Sequence, residues 1–532
     1  MLWSIHNVIL SDSKISFDEL KQHLFKAADI LRKRLDASEN RKPVLTLLFL
    51  KRLNDIFEEN VEDLMKTQGL TKKEAEHKRR HPIFYLPEDT RWSAVQDASE
   101  DVGGTIIQIC KKIEDANPKK LGGTMTYAEF NIKEKYPDTS LIKLIDHFSE
   151  TEEGPFRLRD SDLENEDVFG DAYEYLLEMF ASETKKKGGQ FYTPRQVVRL
   201  LVELTEPKYD FRINDPTCGS GGMLIHSRSF VENTLQKEGK SKDKIDDLMK
   251  NMTLHGQDSN IDTVNMCKMN MVIHGVPSFK IEWEDVLETP KFVENGELIK
   301  YDRVLANFPF GEDWEDDGKE NDPYQRFKYG IPPGSDRADF AFVQHMLSSL
   351  KDDGQAAIVC SQGILFRGGN EKEIRKNMIL GKDGLQGDVI EAVIALPPAL
   401  FFGTPIPGCI LVLNKNKPEK RKNKIIFIYA AHEGEFQEGK VRNQLRDKDI
   451  KKIAKQFKEF KNVDRYCYVA NLEDLEENEY SLNVPRYVDV FEPEEKINIK
   501  ETMKKITKNY DEQEKLKKII ETDLKELNLK FE

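Results

Sequence analysis

The sequence predicts an α/β protein built on a largely parallel sheet, with an α-helical domain ahead of it and a charged helical segment behind it. Three observations carry this expectation. From about residue 200 to 430, β-prone runs alternate with helical patterns, the order that builds a parallel sheet covered by helices. Up to about residue 150 the apolar residues fall at three- and four-residue steps. From about Pro493 the chain is highly charged, and Met503, Ile506, Tyr510, Leu516, Ile520 and Leu527 recur at roughly heptad-like spacing. The expected domains are residues 1–155, 156–485 and 486–532, since 532 residues exceed a single average core.

Taken in order, Ser16-Phe17-Asp18-Glu19 reads as a capping box. It opens a helix with Phe17, Leu20, Leu24, Ala28, Leu31 and Leu35 on one face. A second helical pattern runs from Val44 through Leu48, Leu53 and Phe57, and a third from Val168 to Phe180. Gly188-Gly189-Gln190-Phe191-Tyr192-Thr193-Pro194-Arg195 then makes a shaped loop at the start of a helix through Val197, Val198, Leu200, Leu201 and Leu204. Strands are expected over Phe211–Asn214, Leu254–Asp258, Trp283–Leu287, Tyr301–Ala306, Ala356–Cys360, Val389–Leu396, Cys409–Leu413 and Ile425–Tyr429. The later strands have few helices between them and are expected to form an antiparallel edge.

The net charge of −14 argues against a protein that grips nucleic acid by overall charge, while leaving room for local basic surfaces or a basic partner. Six scattered cysteines, with no CxxC pair and no Cys/His cluster, point to a reduced compartment and to no structural zinc. The first ten residues lack a basic n-region and a small-residue cleavage site. No apolar run reaches membrane-spanning length. A cytoplasmic location is expected. Gly239-Lys240-Ser241 comes nearest to a phosphate-binding P-loop, but Thr234 occupies the first glycine position, so no ATP hydrolysis is expected.

Two stretches carry the chemistry. Asp215-Pro216-Thr217-Cys218-Gly219-Ser220-Gly221-Gly222-Met223 sits between a strand and a helix, where glycines allow a tight turn and a ligand can approach the amides. A glycine cluster also marks plain turns. The second stretch, Asn307-Phe308-Pro309-Phe310-Gly311 at a strand end, is what gives the first its meaning. Asn307 Oδ1 and the Phe308 carbonyl can accept from an exocyclic amine, and Phe310 can stack on the ring that carries it. Such a site works by positioning and electrostatics rather than a strong base. Asp258, at the end of a neighbouring strand, suits the two hydroxyls of a cofactor ribose.

Gly189–Arg195, Asp215–Met223, Gly256-Gln257-Asp258 and Asn307–Gly311, in that order, resemble the N6-adenine DNA methyltransferases, and within them the modification (M) subunits of type I restriction–modification systems. Asp36–Glu39, Phe49–Lys51, Ala338–Phe342 and Gln362–Gly369 agree, so the resemblance spans roughly residues 20 to 480. It implies a Rossmann-like S-adenosylmethionine-dependent methyltransferase sheet and S-adenosylmethionine as cofactor. Gln190, Phe191, Tyr192, Thr193, Pro194 and Arg195 would close over that cofactor, and Ser220, Gly221 and Gly222 would line its loop. Asp215 would sit near its methionine end, Asp258 would hold its ribose and Asp285 would read its adenine. Asn307, Phe308, Pro309 and Phe310 would receive a target adenine flipped out of duplex DNA.

The resemblance also implies a specificity (S) subunit that reads the DNA, two M subunits joined to each S, and room for a restriction (R) subunit. One departure stands out: the family's usual Asn-Pro-Pro-Phe has Phe308 as its second residue here. The backbone carbonyl needed there is retained, and Pro309 keeps Phe308 extended. Two rival functions are a methyltransferase acting on another planar nitrogen, such as a protein glutamine amide, and a catalytically silent DNA clamp. A dehydrogenase fits less well, because the Gly-x-Gly-x-x-Gly spacing is absent.

Overall fold

The computed structural model describes residues 14–32, 37–151, 154–164, 167–183, 193–315, 319–334, 337–401, 404–439, 442–490 and 498–527. Residues 1–489 form one compact unit and residues 490–532 a second.

The first unit begins with helices. Ser16 caps α1 (Phe17–Arg32): its backbone N–H and hydroxyl donate to Glu19 Oε2 at 2.8 and 2.6 Å. Helix α2 (Ala37–Gln68), α3 (Val102–Ala116), α4 (Asp138–His147) and α5 (Asp167–Glu183) follow. Leu24, Leu48, Phe57, Ile106, Leu144, Phe169 and Leu176 pack into one core. Met266, Met269 and Val272 of a later helix enter the same core and join the helical part to the sheet.

The sheet has nine strands: β1 (Arg212–Asp215), β2 (Thr253–Asp258), β3 (Lys280–Trp283), β4 (Tyr301–Asn307), β5 (Leu350–Ser361), β6 (Ile390–Ala395), β7 (Gly408–Asn414), β8 (Ile425–Tyr429) and β9 (Cys467–Ala470). Their spatial order is 3-2-1-4-5-7-6-8-9. Strands β1 to β6 and β8 run one way, and β7 and β9 run against them. The expected antiparallel edge is therefore only partly present. β9 is an antiparallel edge strand, but β7 lies inside the sheet, between β5 and β6. The connection from β6 to β7 needs no crossover helix because the two are antiparallel neighbours.

Both faces of the sheet are buried, which is why its strands read as continuous apolar runs. Leu305, Val359, Ile394, Ile410 and Ile428 point into one core, whereas Val304, Ala306, Ile358, Val393, Leu411 and Phe427 point into the other. Helices α6 (Arg195–Thr205), α7 (Gly222–Lys237), α8 (Ile261–Ile273) and α11 (Asp447–Glu459) cover the first face. Helices α9 (Asp339–Ser348) and α10 (Asn370–Leu380) cover the second. The chain leaving β1 thus enters a helix on one face, and the chain leaving β4 enters a helix on the other. Their shared end is the topological switch point at which ligands bind in open α/β sheets.

The second unit holds α12 (Ile499–Glu526), capped by Asn498 and with no buried residue. Among the described residues of the chain, no helix is long and apolar enough to cross a membrane. All six cysteines are buried and none forms a disulfide.

Candidate active site

A cleft opens at the switch point, between the turns after β1 and β4. Its floor is the turn after β1. Gly219 and Gly221 take positive φ values of 51° and 84°. At Gly221 a Cβ would also lie 2.8 Å from Cys267 Sγ, so both conformation and space demand glycine. Cys218 N–H donates to the Gln257 carbonyl (2.9 Å), and Asn270 Nδ2 to the Ser220 carbonyl (2.9 Å). These bonds fix the turn to β2 and α8, with Gly222 at the open start of α7.

Two carboxylates support this floor. Asp215, 2% exposed, accepts from Thr217 N–H at 3.1 Å. Asp258 accepts from Gly219 N–H at 3.1 Å and from Asn260 N–H at 2.9 Å. Burial pushes Asp215 up to about 8, aided by the nearby Asp258 charge, and pushes Asp258 up to about 6 against its two amide donors. No cationic side chain among the described residues forms an ion pair with Asp215. A bound cationic group would satisfy this buried carboxylate.

The opposite rim is the turn after β4. Asn307 lines the cleft and donates from Nδ2 to Thr193 Oγ1 at 3.0 Å, which leaves Oδ1 as an acceptor. Phe308 turns away into the core, 2% exposed, stacked on Phe342 with centroids 5.0 Å apart and rings 13° from parallel. Phe310 meets Phe308 edge-on at 5.7 Å and is itself 36% exposed, an aromatic face available beside Asn307. Buried Asp339 ties this turn down, accepting from Gly311 N–H (3.3 Å), Ser361 Oγ (3.0 Å) and Arg367 Nη1 (3.0 Å). The phenylalanine in place of the usual proline is thus a packing residue.

Of the residues singled out from sequence, Thr193, Arg195, Asp215, Ser220, Gly222 and Asn307 line this one cleft. Pro194 caps α6 beside it, and Asp258 braces it from below. Gln190, Phe191 and Tyr192 lie outside the described residues. Asp285 is not among the residues lining this cleft. Strand β3 stops at Trp283, and Asp285 is an exposed turn residue whose carboxylate accepts from Leu287 N–H at 2.8 Å. The segment carrying it is clamped by buried Gln257, which donates to the Glu284 and Thr289 carbonyls and accepts from Lys291 N–H. Sequence reading missed Gln257 in this role, and it missed Glu174 and His226, which also line the cleft. Both sit at ordinary helical positions, and only the packing of α5 against α7 reveals them. Burial raises the cost of a charged Glu174, but His226, His274 and Arg195 hold it down to about 2.

A largely parallel sheet in this order, with a glycine turn after β1, an acid at the end of β2 and a neutral acceptor amide after β4, is the arrangement of an α/β methyltransferase that alkylates an amine. Comparison with known proteins carries this further. The N-6 DNA Methylase family model matches residues 164–496, and the HsdM N-terminal domain model matches residues 20–148. The chain is 35% identical over 542 residues to the type I restriction enzyme MjaVIII methylase subunit of Methanocaldococcus jannaschii, covering 97% of this chain and 86% of that protein. The HindI methylase subunit of Haemophilus influenzae is 32% identical over 77% of this chain and 91% of its own length. The crystal structure of a type I restriction-modification methyltransferase subunit from Streptococcus thermophilus matches with a TM-score of 0.72 at 26% identity, over 89% of this chain and all of that one. The chain belongs to the N6-adenine DNA methyltransferases, in the family of type I modification subunits, and its cofactor is S-adenosylmethionine.

The cleft fits that cofactor. Asp215 is a buried carboxylate with no ion-pair partner among the described residues, a Cβ added at Gly222 would meet only Val198 Cγ2, at 3.8 Å, and Asp258 is braced by amides, features that would suit an ammonium, a close backbone contact and a ribose.

Proposed function

We propose that this chain methylates N6 of an adenine flipped out of duplex DNA, as the modification subunit of a complex in which two M subunits join one specificity subunit. A restriction subunit is compatible with the same assembly. The observation that carries the reading is Asn307: its acceptor oxygen shares one cleft with Asp215, Ser220 and Gly222.

In this reading Asn307 Oδ1 and the Phe308 carbonyl accept from the two N6 hydrogens, which directs the nitrogen lone pair into the cleft. Phe310 stacks on the adenine ring, and Pro309 holds the turn extended between them. When bound, S-adenosylmethionine supplies the electrophilic methyl carbon. Asp215 and the Ser220–Gly222 turn bind toward its methionine end and Asp258 its ribose. Residues 190–195 cover it, and Asp285 reads its adenine. The residues contribute by alignment and by accepting developing N–H polarity, and the nitrogen releases one proton to solvent during or after attack, so no strong general base is required.

Three parts divide the work: residues 1–155 as a helical domain, 156–485 as the catalytic domain, and 486–532 as the contact for a partner. The exposed stripe Met503, Ile506, Tyr510, Leu516 and Ile520 on α12 supports the last assignment. A partner that reads DNA reconciles an acidic chain with a polyanionic substrate.

The test is labelled-methyl transfer to duplex DNA by the chain alone and by the chain co-purified with its specificity subunit, followed by identification of the modified nucleoside. N6-methyladenine formed only with the partner is the expected product. Cofactor binding without any DNA methylation by the complex would point instead to the silent clamp, and label on protein to the glutamine reading.

A further inference from the structure

Helix α5 belongs by its packing to the N-terminal core, where Val168, Phe169, Ala172, Tyr173, Leu176 and Leu177 are buried. Two of its acids point the other way. Asp171 forms an ion pair with Arg195 at the start of α6, and Glu174, one turn further along, faces His226 on α7. Gly170 lets the helix seat on the end of α8, since a Cβ there would lie 2.2 Å from His274 Cε1. Three helices around the cleft are thus engaged by one turn of α5.

Glu174 is 5% exposed, lines the cleft, and has His226 Nε2 at 3.5 Å from Oε1. That separation is long for a good hydrogen bond, and among the described residues buried His226 Nε2 has no hydrogen-bond partner. Leaving such a group unsatisfied is costly and uncommon. Beside the pair stand Arg195, Met223 and the open amides at the start of α7, whereas the Asn307 side of the cleft is neutral. A negative group, an imidazole and free amides at one end of a cleft are complementary to a zwitterion. A carboxylate takes the ammonium, and the imidazole and amides take the acid.

We infer that Glu174 and His226 form the subsite for the zwitterionic amino-acid end of S-adenosylmethionine. This rests on the cofactor assignment above. Asp215 contributes from the floor, and because an ammonium carries three donors, two carboxylates can share it. Helix α5 then does more than join the domains. A helix whose apolar side packs into the N-terminal helical core thus carries a cofactor-binding acid into the methyltransferase cleft.

The inference is tested by comparing two ligands that share the nucleoside and differ in the amino-acid end. S-adenosylhomocysteine carries the zwitterion, and 5′-methylthioadenosine lacks it. Calorimetric titration of the full chain with each is expected to give, for Glu174→Gln, at least tenfold weaker S-adenosylhomocysteine binding with 5′-methylthioadenosine within twofold of wild type. His226→Gln should repeat the pattern, and Asp258→Asn should weaken both ligands together. If both Glu174→Gln and His226→Gln bind S-adenosylhomocysteine as wild type does, the inference is wrong. It is equally wrong if either variant with a wild-type melting temperature loses both ligands in parallel, because the pair would then only hold helices together. Should Glu174→Gln melt early, His226→Gln decides. A wild-type chain that binds neither nucleoside would overturn the cofactor assignment itself, a distinct outcome.

Discussion

The turns after β1 and β4 leave neighbouring parallel strands of one sheet, yet one is made of backbone and carboxylates and the other of aromatic rings and a single amide. The β1 turn depends on positive-φ glycines, on amides pinned to β2 and α8, and on two acids whose ionisation burial has made expensive. The β4 turn has no ionisable group of its own from Asn307 to Gly311. Asn307 is held by Thr193, Phe308 by the core, and Gly311 by Asp339. The difference teaches a division of labour. A site that must hold a charged ligand keeps charge in reserve, and a site that must present an amine's lone pair keeps charge away.

The largest expected effect tests whether the β4 turn really is held by packing. Phe308→Ala removes a fully buried ring stacked on Phe342, and should cost about 3–5 kcal/mol of stability. Denaturant unfolding reads this directly. A loss below about 1 kcal/mol would show that the ring is not part of the support.

The next prediction probes the charge reserve of the β1 turn. With Asp215 pushed up to about 8, the free enzyme near pH 7 holds it mostly protonated, and a cofactor ammonium draws it into the ionised form. Binding therefore releases a proton, and affinity rises with pH up to about 8, by at most about tenfold per unit. The sign for folding follows from the same shift. The native state binds more protons than the unfolded chain between about 4 and about 8, so this group's contribution to ligand-free stability falls as pH rises. Calorimetry in two buffers of different ionisation enthalpy detects the released proton. In Asp215→Asn the buffer dependence should vanish, and its persistence would assign the proton to another group.

The strand runs were legible because both faces of this sheet are buried, so Ala356–Cys360 and Ile425–Tyr429 stand out without any alternation. The insertion of β7 between β5 and β6 was not, since periodicity carries no information on which strands become neighbours. Helix α10 was hidden by its charges, two of which, Glu371 and Arg375, are buried in the fold. Helix α11 was hidden by lysines around the apolar stripe of Ile450, Ile453 and Phe457. In the site, the glycine turn and Asn307 were legible because spacing alone constrains them. Glu174, His226 and Gln257 acquire a role only through contacts between elements distant in sequence.

The smallest effect concerns the single bond that orients the acceptor. Thr193→Val deletes the hydroxyl that receives Asn307 Nδ2, a hydrogen bond worth about 1 kcal/mol. The expected result is a roughly fivefold lower single-turnover methylation rate with unchanged cofactor affinity, and recovery in Thr193→Ser. A change in affinity alone would move Thr193 to the cofactor side of the comparison.

The most direct measurement pairs cofactor titration with single-turnover methyl transfer in Asn307→Ala, using the complex with its specificity subunit. Cofactor affinity is expected to stay within about twofold of wild type while the methylation rate falls by about 100- to 1,000-fold, the scale of losing one preorganised polar group in an active site. A variant that methylates at nearly the wild-type rate, or one that loses cofactor binding as severely as methylation, would contradict the division between the two turns.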